Sequence, residues 1–380
     1  MPFSSLGLSP SLQKALLAEN YQEPYPIQKE AIPAILDGKD VFGIAPTGSG
    51  KTASYVLPIL MNLQKGNINK SRHINVLVLV PTRELAVQVR EVFQVFSLAL
   101  PEKIKSLAVF GGASINPQMM AMNGVHVLVA TPGRLLELID SNAVHLTDIE
   151  TLVLDEADKM LNLGFKEEMN RIFAMLPKKR QNLLFSATLS DDLTNMNQLL
   201  LHNPLIIKLA SETDNIDLIT QSAYLVSDER KGPLLRYLIK TKNLKQVLVF
   251  TSSILRADNV AEKLWKNGIK ATSIHSKKSQ EARTVALREF KSGKIRVLVA
   301  TDLISRGIDI NFLPYVINYE LPRSPKDYIH RIGRTGRAES PGEAISLITP
   351  LDEHHFTVIQ KKIGRSISMF ESKDINLQGF

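Results

Sequence analysis

The chain has 380 residues, 44% hydrophobic and 22% charged, which is the composition of a globular protein too long for one ordinary core. It has no cysteine, so disulfides, thiol catalysis and cysteine-ligated zinc are excluded. No run of about eighteen apolar residues and no secretory signal is visible, so we expect a cytoplasmic protein without membrane association.

The charge balance favours polyanionic partners. The 46 lysines and arginines exceed the 38 acidic residues and give a formal net charge of +8. Phosphate contacts from basic residues supply most of the nonspecific affinity for nucleic acids. Aromatic residues make up only 6% of the chain, which argues against extensive stacking on bases.

In chain order, the first functional signal is "APTGSGKT" at Ala45–Thr52, between a strand-like run, Val41–Ile44, and a helix-like run, Ala53–Leu63. Its glycines let backbone N–H groups approach phosphates, Lys51 supplies a positive charge, and Thr52 offers a ligand for Mg²⁺. The first position is alanine where the strict pattern has glycine, so a structural glycine turn is the alternative. The residues expected to bind a nucleotide here are Ala45, Pro46, Thr47, Gly48, Ser49, Gly50, Lys51 and Thr52.

Four similar apolar strings indicate an internal duplication. Residues 78–82 and 127–131 lie 49 positions apart, residues 247–251 and 297–301 lie 50 apart, and each string ends in threonine. Continuous apolar runs are typical of parallel strands buried on both faces, and ligands bind beyond the carboxyl ends of such strands. The pattern predicts an α/β protein of two similar domains that present polar strand ends to a shared ligand.

The stretch "TLVLDEAD", Thr151–Asp158, places two acidic residues after an apolar strand. Asp155 would hold Mg²⁺, and Glu156 would orient and deprotonate the attacking water. Acidic residues after a strand also cap helices, which is the alternative. Paired with Lys51 of the phosphate loop, the catalytic interpretation is favoured.

The domain boundaries are predicted from changes in composition. The polar stretch "SETDNIDLIT" follows the strand-like Leu205–Leu209, and Gln221–Val226 has the pattern of the next strand. Asp352–Gly364 has the pattern of a last helix. We expect a first domain over 1–210, a linker over 211–220, a second domain over 221–365 and a short tail over 366–380.

The basic string "HRIGRTGR", residues 330–337, holds three arginines and a histidine with two glycines. Taken alone, it allows three roles. The arginines would grip the phosphates of a nucleic acid, reach the terminal phosphate of a nucleotide, or solvate a loop.

A series of motifs in order covers nearly the full length of the chain. They are "YQEPYPIQ" at 21–28, "APTGSGKT" at 45–52, "PTRELA" at 81–86, "GG" at 111–112, "TPGR" at 131–134, "DEAD" at 155–158, "SAT" at 186–188, "VFTSS" at 249–253, "ATDLISRGID" at 300–309 and "HRIGRTGR" at 330–337. The chain resembles the DEAD-box ATP-dependent RNA helicases, and among them the short bacterial members. The resemblance implies two tandem RecA-like parallel-sheet domains with the active site in the interdomain cleft.

The same resemblance implies ATP and Mg²⁺ as cofactors, RNA as the partner and a monomeric core. It implies that RNA stimulates ATP hydrolysis, which is coupled to local, non-processive unwinding of RNA duplexes or to remodelling of RNA–protein complexes.

For the adenine base, the resemblance implies that Gln28 pairs with its edge and that Tyr21 stacks on it, with Phe3 behind the ring. A side-chain amide suits the adenine edge because it both donates and accepts hydrogen bonds. The chain departs from the family at Asn20-Tyr21, where Gly-Phe is usual, and at Tyr25, where threonine or serine is usual.

For catalysis, the resemblance makes two arginines of the basic string arginine fingers on the γ-phosphate, and it leaves Arg331 open between a structural and an RNA-proximal role. The implied catalytic residues are Lys51, Asp155, Glu156, Arg334 and Arg337. Gly307 and Asp309 would approach the nucleotide, Asp309 at the ribose. The residues implied to couple the ATP state to RNA binding are Asp158, Ser186, Thr188 and His330.

For RNA, the implied contacts are threonine hydroxyls, glycine N–H groups and arginines, which suit phosphate and 2′-OH recognition without reading base sequence. They are Pro81, Thr82, Arg83, Gly111, Gly112, Thr131, Gly133 and Arg134 in the first domain and Thr251, His275, Arg283 and Thr301 in the second. His275-Ser276 departs from the more usual His-Gly.

The motifs leave other functions to be weighed. An ATP-gated RNA clamp, which forms a stable complex instead of separating strands, uses the same residues. A DNA-directed relative is disfavoured by the adenine-reading segment before the phosphate loop. A small-molecule kinase is disfavoured because it does not need the repeated second half.

Overall fold

The computed structural model describes residues 2–46, 48–65, 73–189, 191–209, 219–302, 313–335 and 342–380. The chain folds as two compact units, Met1–Ser211 and Glu212–Phe380. Most of the segment predicted as the linker, residues 211–218, lies outside the described residues.

The first unit is built on a seven-stranded parallel sheet flanked by helices. Its strands are β1 (Val41–Ile44), β2 (Val76–Leu79), β3 (Ser106–Val109), β4 (Val127–Ala130), β5 (Thr151–Leu154), β6 (Gln181–Ser186) and β7 (Leu205–Lys208). Its helices are α1 (Pro10–Ala18), α2 (Pro26–Leu36), α3 (Lys51–Lys65), α4 (Arg83–Ser97), α5 (Ile115–Ala121), α6 (Pro132–Asp140), α7 (Ala157–Asn162), α8 (Lys166–Ala174) and α9 (Asp191–Leu200). The strand order is β3-β4-β2-β5-β6-β1-β7.

The second unit repeats this plan. Its strands are β8 (Ile219–Leu225), β9 (Val247–Thr251), β10 (Ala271–Ile274), β11 (Val297–Thr301), β12 (Tyr315–Asn318), β13 (Gly342–Ile348) and β14 (Ser368–Glu371). Its helices are α10 (Asp228–Thr241), α11 (Ile254–Lys266), α12 (Gln280–Lys291), α13 (Pro325–Ile332) and α14 (Glu353–Ile363). The strand order is β10-β11-β9-β12-β13-β8-β14.

The two sheets have the same topology. Replacing each strand of the first sheet by the strand seven places later in the chain reproduces the order of the second sheet. The repeated apolar strings form neighbouring strands in both sheets, since β2 pairs with β4 and β9 pairs with β11. The predicted α/β class with duplicated parallel sheets is therefore confirmed.

The strands are apolar on both faces because helices cover both faces. In β2, Val76 and Val78 belong to one hydrophobic cluster, whereas Leu77 and Leu79 belong to another. Side chains alternate across a strand, so an unbroken apolar string is the pattern that a doubly covered strand requires. Each core therefore lies between the sheet and one helical layer.

The segment 366–380, expected as a short tail, instead adds strand β14 to the second sheet. It pairs in parallel with β8, and Phe370 contacts Tyr224 with ring centroids 5.4 Å apart. All residues of β14 are exposed. An edge strand that buries neither face carries no apolar pattern, so the composition of this segment did not predict it.

Candidate functional site

The phosphate loop joins β1 to α3 in the first unit, at the carboxyl end of the sheet. Gly48 and Gly50 have φ of +83° and +88°, which an L side chain adopts only with strain. A Cβ at Gly50 would lie 2.5 Å from Nε2 of Gln28 and 2.8 Å from Cδ2 of Tyr25. The loop therefore needs glycine at position 50 for its backbone and for its packing. Thr47 lies outside the described residues.

Lys51 is the first residue of α3 and is almost completely buried. Its Nζ donates to the carbonyl oxygen of Ala45 at 2.6 Å and to that of Pro46 at 2.8 Å. These contacts hold the ammonium group of Lys51 against Ala45 and Pro46, the first residues of the phosphate loop. A buried positive charge held by backbone carbonyls is suited to an anionic phosphate.

Gln28, predicted to read adenine, is fully buried and connects α2 to the phosphate loop. Its Oε1 accepts from the backbone N–H of Tyr25 at 2.9 Å, and its Nε2 donates to the carbonyl oxygen of Gly50 at 3.1 Å. Tyr21 is half-buried and lies edge-on to Phe3, with centroids 6.5 Å apart. The structure thus brings the residues predicted for the base close to the loop predicted for the phosphates.

Two acidic residues follow β5 directly. Asp155 is buried, and Oδ2 of its carboxylate accepts a hydrogen bond from the Tyr55 hydroxyl at 2.8 Å. Burial, with the neighbouring charge of Glu156, raises the pKa of Asp155 to about 6, while Lys51 opposes the rise. A buried carboxylate of this kind is stabilised in its charged form by a nearby cation.

Glu156 combines an unusual backbone conformation with a buried carboxylate. Its φ of 52° and ψ of 45° place a non-glycine residue in the left-handed region, at a cost of about 1–2 kcal/mol. Oε1 accepts from Nζ of Lys159 at 2.7 Å, whereas the buried Oε2 has no hydrogen-bond partner among the described residues. Strain and an unsatisfied buried acceptor at one residue are typical of functional sites.

Three of the four residues predicted for coupling contact one another within the first unit. The Thr188 hydroxyl donates to Oδ2 of Asp158 at 2.9 Å, and the Ser186 hydroxyl donates to the carbonyl oxygen of Thr188 at 2.8 Å. Oδ1 of Asp158 is buried and has no partner among the described residues. His330, the fourth residue of this set, lies in the second unit on α13.

The residues predicted to contact RNA in the first unit lie around the ends of β2, β3 and β4. Thr82 and Thr131 are the N-cap residues of α4 and α6. Arg83 donates to the carbonyl oxygen of Gly112 at 3.4 Å, and a Cβ at Gly112 would lie 2.0 Å from its Nη2. Pro81 is buried, whereas Gly111 and Gly133 have open space beside their Cα atoms.

Arg134 is buried and forms a hydrogen bond to the loop that carries Gly111 and Gly112. Its Nη2 donates to the carbonyl oxygen of Ala113 at 2.9 Å, and its Nε pairs with Oε2 of Glu137 at 2.8 Å. Its Nη1 is buried without a partner among the described residues. The observed contacts of Arg134 therefore fix the loop that carries Gly111 and Gly112.

In the second unit, Thr251 and Thr301 are register partners at the ends of neighbouring strands. His275 is buried, and its Nε2 lies 2.9 Å from Oδ1 of Asp258. Arg283 is buried too and donates to Oε1 of Gln280 at 2.6 Å. The strand-end threonines thus lie side by side, while the histidine and the arginine have partners within their own unit.

The basic string is described as far as Thr335. Arg334 is buried, and its carbonyl oxygen accepts from the backbone N–H of Leu313 at 3.0 Å. Arg337, together with Gly307 and Asp309, lies outside the described residues. The predicted roles of these three residues remain predictions.

Arg331, whose role the sequence left open, is a structural residue. It is 1% exposed, its guanidinium forms two hydrogen bonds to Asp302 at 2.5 and 2.9 Å, and Nη1 donates to Oδ1 of Asn318 at 3.1 Å and to the carbonyl oxygen of Glu320 at 2.6 Å. The guanidinium carbon also lies 4.9 Å from the centre of the Phe250 ring. Through these contacts Arg331 joins β9, β11 and β12 within the second unit.

The motifs did not point to Tyr55 or Asp302 as site residues. Tyr55 lies inside an apolar helical stretch, so it has the pattern of a core residue. Asp302 directly follows the apolar string of β11, as Asp155 follows β5, and this shared position was the available signal.

Comparison with known proteins decides the family. A family model described as the DEAD/DEAH box helicase matches residues 25–196, and one described as the helicase conserved C-terminal domain matches residues 230–339. The chain is 39% identical to the DEAD-box ATP-dependent RNA helicase RhpA of Helicobacter pylori, over 98% of this chain and 75% of that protein. It is 38% identical to the ATP-dependent RNA helicase CshA of Listeria monocytogenes, over 94% and 68% of the two chains.

The chain belongs to the DEAD-box ATP-dependent RNA helicases.

Solved structures of DEAD-box proteins share the fold. Dbp5 of S. cerevisiae bound to RNA and ADP BeF3 is 30% identical, with a TM-score of 0.83 and coverage of 98% of this chain and 96% of that one. A DEAD box protein of the hyperthermophile Methanococcus jannaschii is 36% identical, with a TM-score of 0.56 and coverage of 97% and 99%. The expectation of two tandem RecA-like domains in an ATP-dependent RNA helicase is confirmed.

Within the described residues of this DEAD-box chain, no helix is both long enough and apolar enough to cross a membrane.

Proposed function

We propose that this helicase hydrolyses ATP when nucleotide and RNA together bring its two units into one active site, and that this closure separates a few RNA base pairs. The supporting observation is how the chemistry is divided along the chain. Lys51, Asp155 and Glu156 belong to the first unit, whereas the basic string that supplies Arg334 and Arg337 belongs to the second. An arginine finger that comes from another unit makes hydrolysis depend on closure.

Oxygen ligands for a divalent cation are available in the first unit. Thr52 and Asp155 would hold Mg²⁺, which prefers hard oxygen donors and neutralises phosphate charge when bound. The fit rests on Asp155, a buried carboxylate beside the second buried carboxylate of Glu156. Lys51 would release the two carbonyl oxygens that it contacts and bind the phosphates instead.

Glu156 would act as the general base. Lys159 holds its Oε1, whereas the buried Oε2, which has no hydrogen-bond partner in the part of the chain that the structure describes, would accept a proton from the attacking water. The left-handed backbone conformation of Glu156 fixes the direction in which its carboxylate points at the end of β5.

RNA would be bound through its sugar–phosphate backbone, so base sequence would not be read. The strand-end threonines and the loop of Gly111 and Gly112 offer hydroxyl and N–H donors of the type that contact phosphates and 2′-OH groups. Closure would bend one strand in a way that a duplex cannot follow. A base-pair step holds about 1.4 kcal/mol of stacking in DNA, so each step that closure breaks costs only a small free energy.

The decisive test is a strand-displacement assay with a short RNA duplex, run alongside ATP turnover. Lys51→Ala should abolish both, whereas Lys14→Ala, which removes an exposed lysine on α1, should change neither. Glu156→Gln should bind ATP and RNA but hydrolyse slowly. RNA-stimulated hydrolysis by the Lys51→Ala variant would refute the site.

The same assay separates unwinding from clamping. If ATP prolongs the lifetime of the RNA complex and no strand is released, the chain acts as an ATP-gated clamp. Release of strands within the lifetime of one ATP-bound complex supports local unwinding.

A further inference from the structure

Tyr55 is a buried phenol beside the predicted metal ligands. It lies on α3, one helical turn after Lys51, and it is fully buried. Its ring packs 5.3 Å from the ring of Phe185 on β6 and 6.5 Å from that of Phe93 on α4. With the ring held on two sides, the position of the hydroxyl group is fixed.

The hydroxyl of Tyr55 connects α3 to the predicted metal ligand Asp155. It donates to Oδ2 of Asp155 at 2.8 Å, and both side chains are buried. The phenol therefore holds one oxygen of this carboxylate in a fixed position.

This contact restricts the rotation of the Asp155 carboxylate. The single proton of the phenol points to Oδ2, and the packed ring fixes the place of that oxygen. Because the two oxygens of a carboxylate lie in one plane, a fixed Oδ2 also restricts the direction of Oδ1.

We propose that Tyr55 is a positioning residue that orients Asp155 as a ligand for Mg²⁺. The proposal rests on the proposed function, in which Asp155 and Thr52 hold the metal. Partners that orient metal ligands from behind affect metal affinity or activity by about 10- to 100-fold. Tyr55 would therefore set the Mg²⁺ concentration at which the helicase binds nucleotide with its full affinity.

The test is the substitution Tyr55→Phe in the full chain. It keeps the ring that contacts Phe185 and Phe93 and removes the hydrogen bond to Asp155. Binding of the fluorescent nucleotide N-methylanthraniloyl-ADP is measured while MgCl₂ is titrated. We expect the half-saturating Mg²⁺ concentration to rise by about 10-fold or more, with nucleotide affinity in EDTA unchanged.

Tyr328→Phe is the matched control because it also removes one buried phenolic hydroxyl, which donates to Gln221 in the second unit. Its Mg²⁺ titration should equal that of the wild type. ATP turnover by Tyr55→Phe should recover at high Mg²⁺, which a general folding defect would not allow. A Tyr55→Phe titration identical to that of the wild type, or turnover that stays low at high Mg²⁺, would overturn the proposal.

The substitution Asp155→Asn distinguishes failure of the role proposed for Tyr55 from failure of the proposed metal site. If Asp155→Asn shifts the Mg²⁺ titration and Tyr55→Phe does not, the metal site stands and Tyr55 has no positioning role. If the titrations of wild type and Asp155→Asn coincide, Asp155 is not a metal ligand and both proposals fall.

Discussion

Arg331 of the basic string binds within its own unit through a network of hydrogen bonds. Arg331 pairs with Asp302, which lies 29 positions away in sequence, and with Asn318, which lies 13 positions away. Sequence shows which residue types are present but not which of them meet in the fold. For that reason the family resemblance left Arg331 between a structural and an RNA-proximal role.

Arg331→Met should destabilise the second unit by about 3 kcal/mol, because it leaves Asp302 and Asn318 without their guanidinium partner. Calorimetric unfolding of the full chain measures the loss. Arg288→Met, which removes an exposed arginine on α12, is the control and should stay within about 0.5 kcal/mol of the wild type. Equal stability of the two variants would contradict the structural role of Arg331.

A comparison of Gly50 with Gly38 distinguishes the effect of backbone strain from the effect of close packing. Gly50 and Gly38 both have positive φ, but a Cβ at Gly50 would meet Gln28 and Tyr25, whereas one at Gly38 would meet nothing within 4 Å. Gly38→Ala should cost about 1 kcal/mol of stability and leave nucleotide binding unchanged. Gly50→Ala should in addition weaken nucleotide binding, measured by fluorescence titration. Equal nucleotide affinity of the two variants would contradict the packing argument.

At the scale of elements, the strands and helices with strong apolar patterns were predictable. The first strand of the second unit and the last helix begin within two residues of their predicted positions. The short edge strand β14 was not predictable, because its stability comes from pairing with β8 and not from its own pattern. The N-cap roles of Thr82 and Thr131 were also hidden, since a terminal threonine suits a strand end and a helix start equally.

Removal of residues 368–380 should therefore lower the melting temperature of the second unit. The truncation uncovers β8 and removes the contact of Phe370 with Tyr224 and the hydrogen bond from Ser372 Oγ to the carbonyl oxygen of Leu225. A loss of about 2 kcal/mol corresponds to about 4–8 °C for a unit of this size. An unchanged melting temperature would mean that this segment is the unattached tail that the sequence suggested.

At the scale of the whole molecule, the order of the motifs and the duplicated strings were sufficient to predict the fold and the family. The residues predicted to bind the nucleotide in the first unit lie close to one another in the fold, because loops at the carboxyl ends of parallel strands share one edge of the sheet. The hydrogen bond from Tyr55 to Asp155 was not predictable, since it depends on the packing of α3 against β5 and β6.

We propose that residues of both units form one ATPase site when ATP and RNA bind, and the RNA-stimulated ATP turnover of Arg337→Ala tests this proposal most directly. The control is Arg323→Ala, which removes an exposed arginine of the same unit. We predict that Arg337→Ala binds ATP and RNA but loses about 10³-fold in RNA-stimulated turnover, as removal of an arginine finger does, while the control turns over like the wild type. Turnover by Arg337→Ala at the rate of the control would contradict the claim.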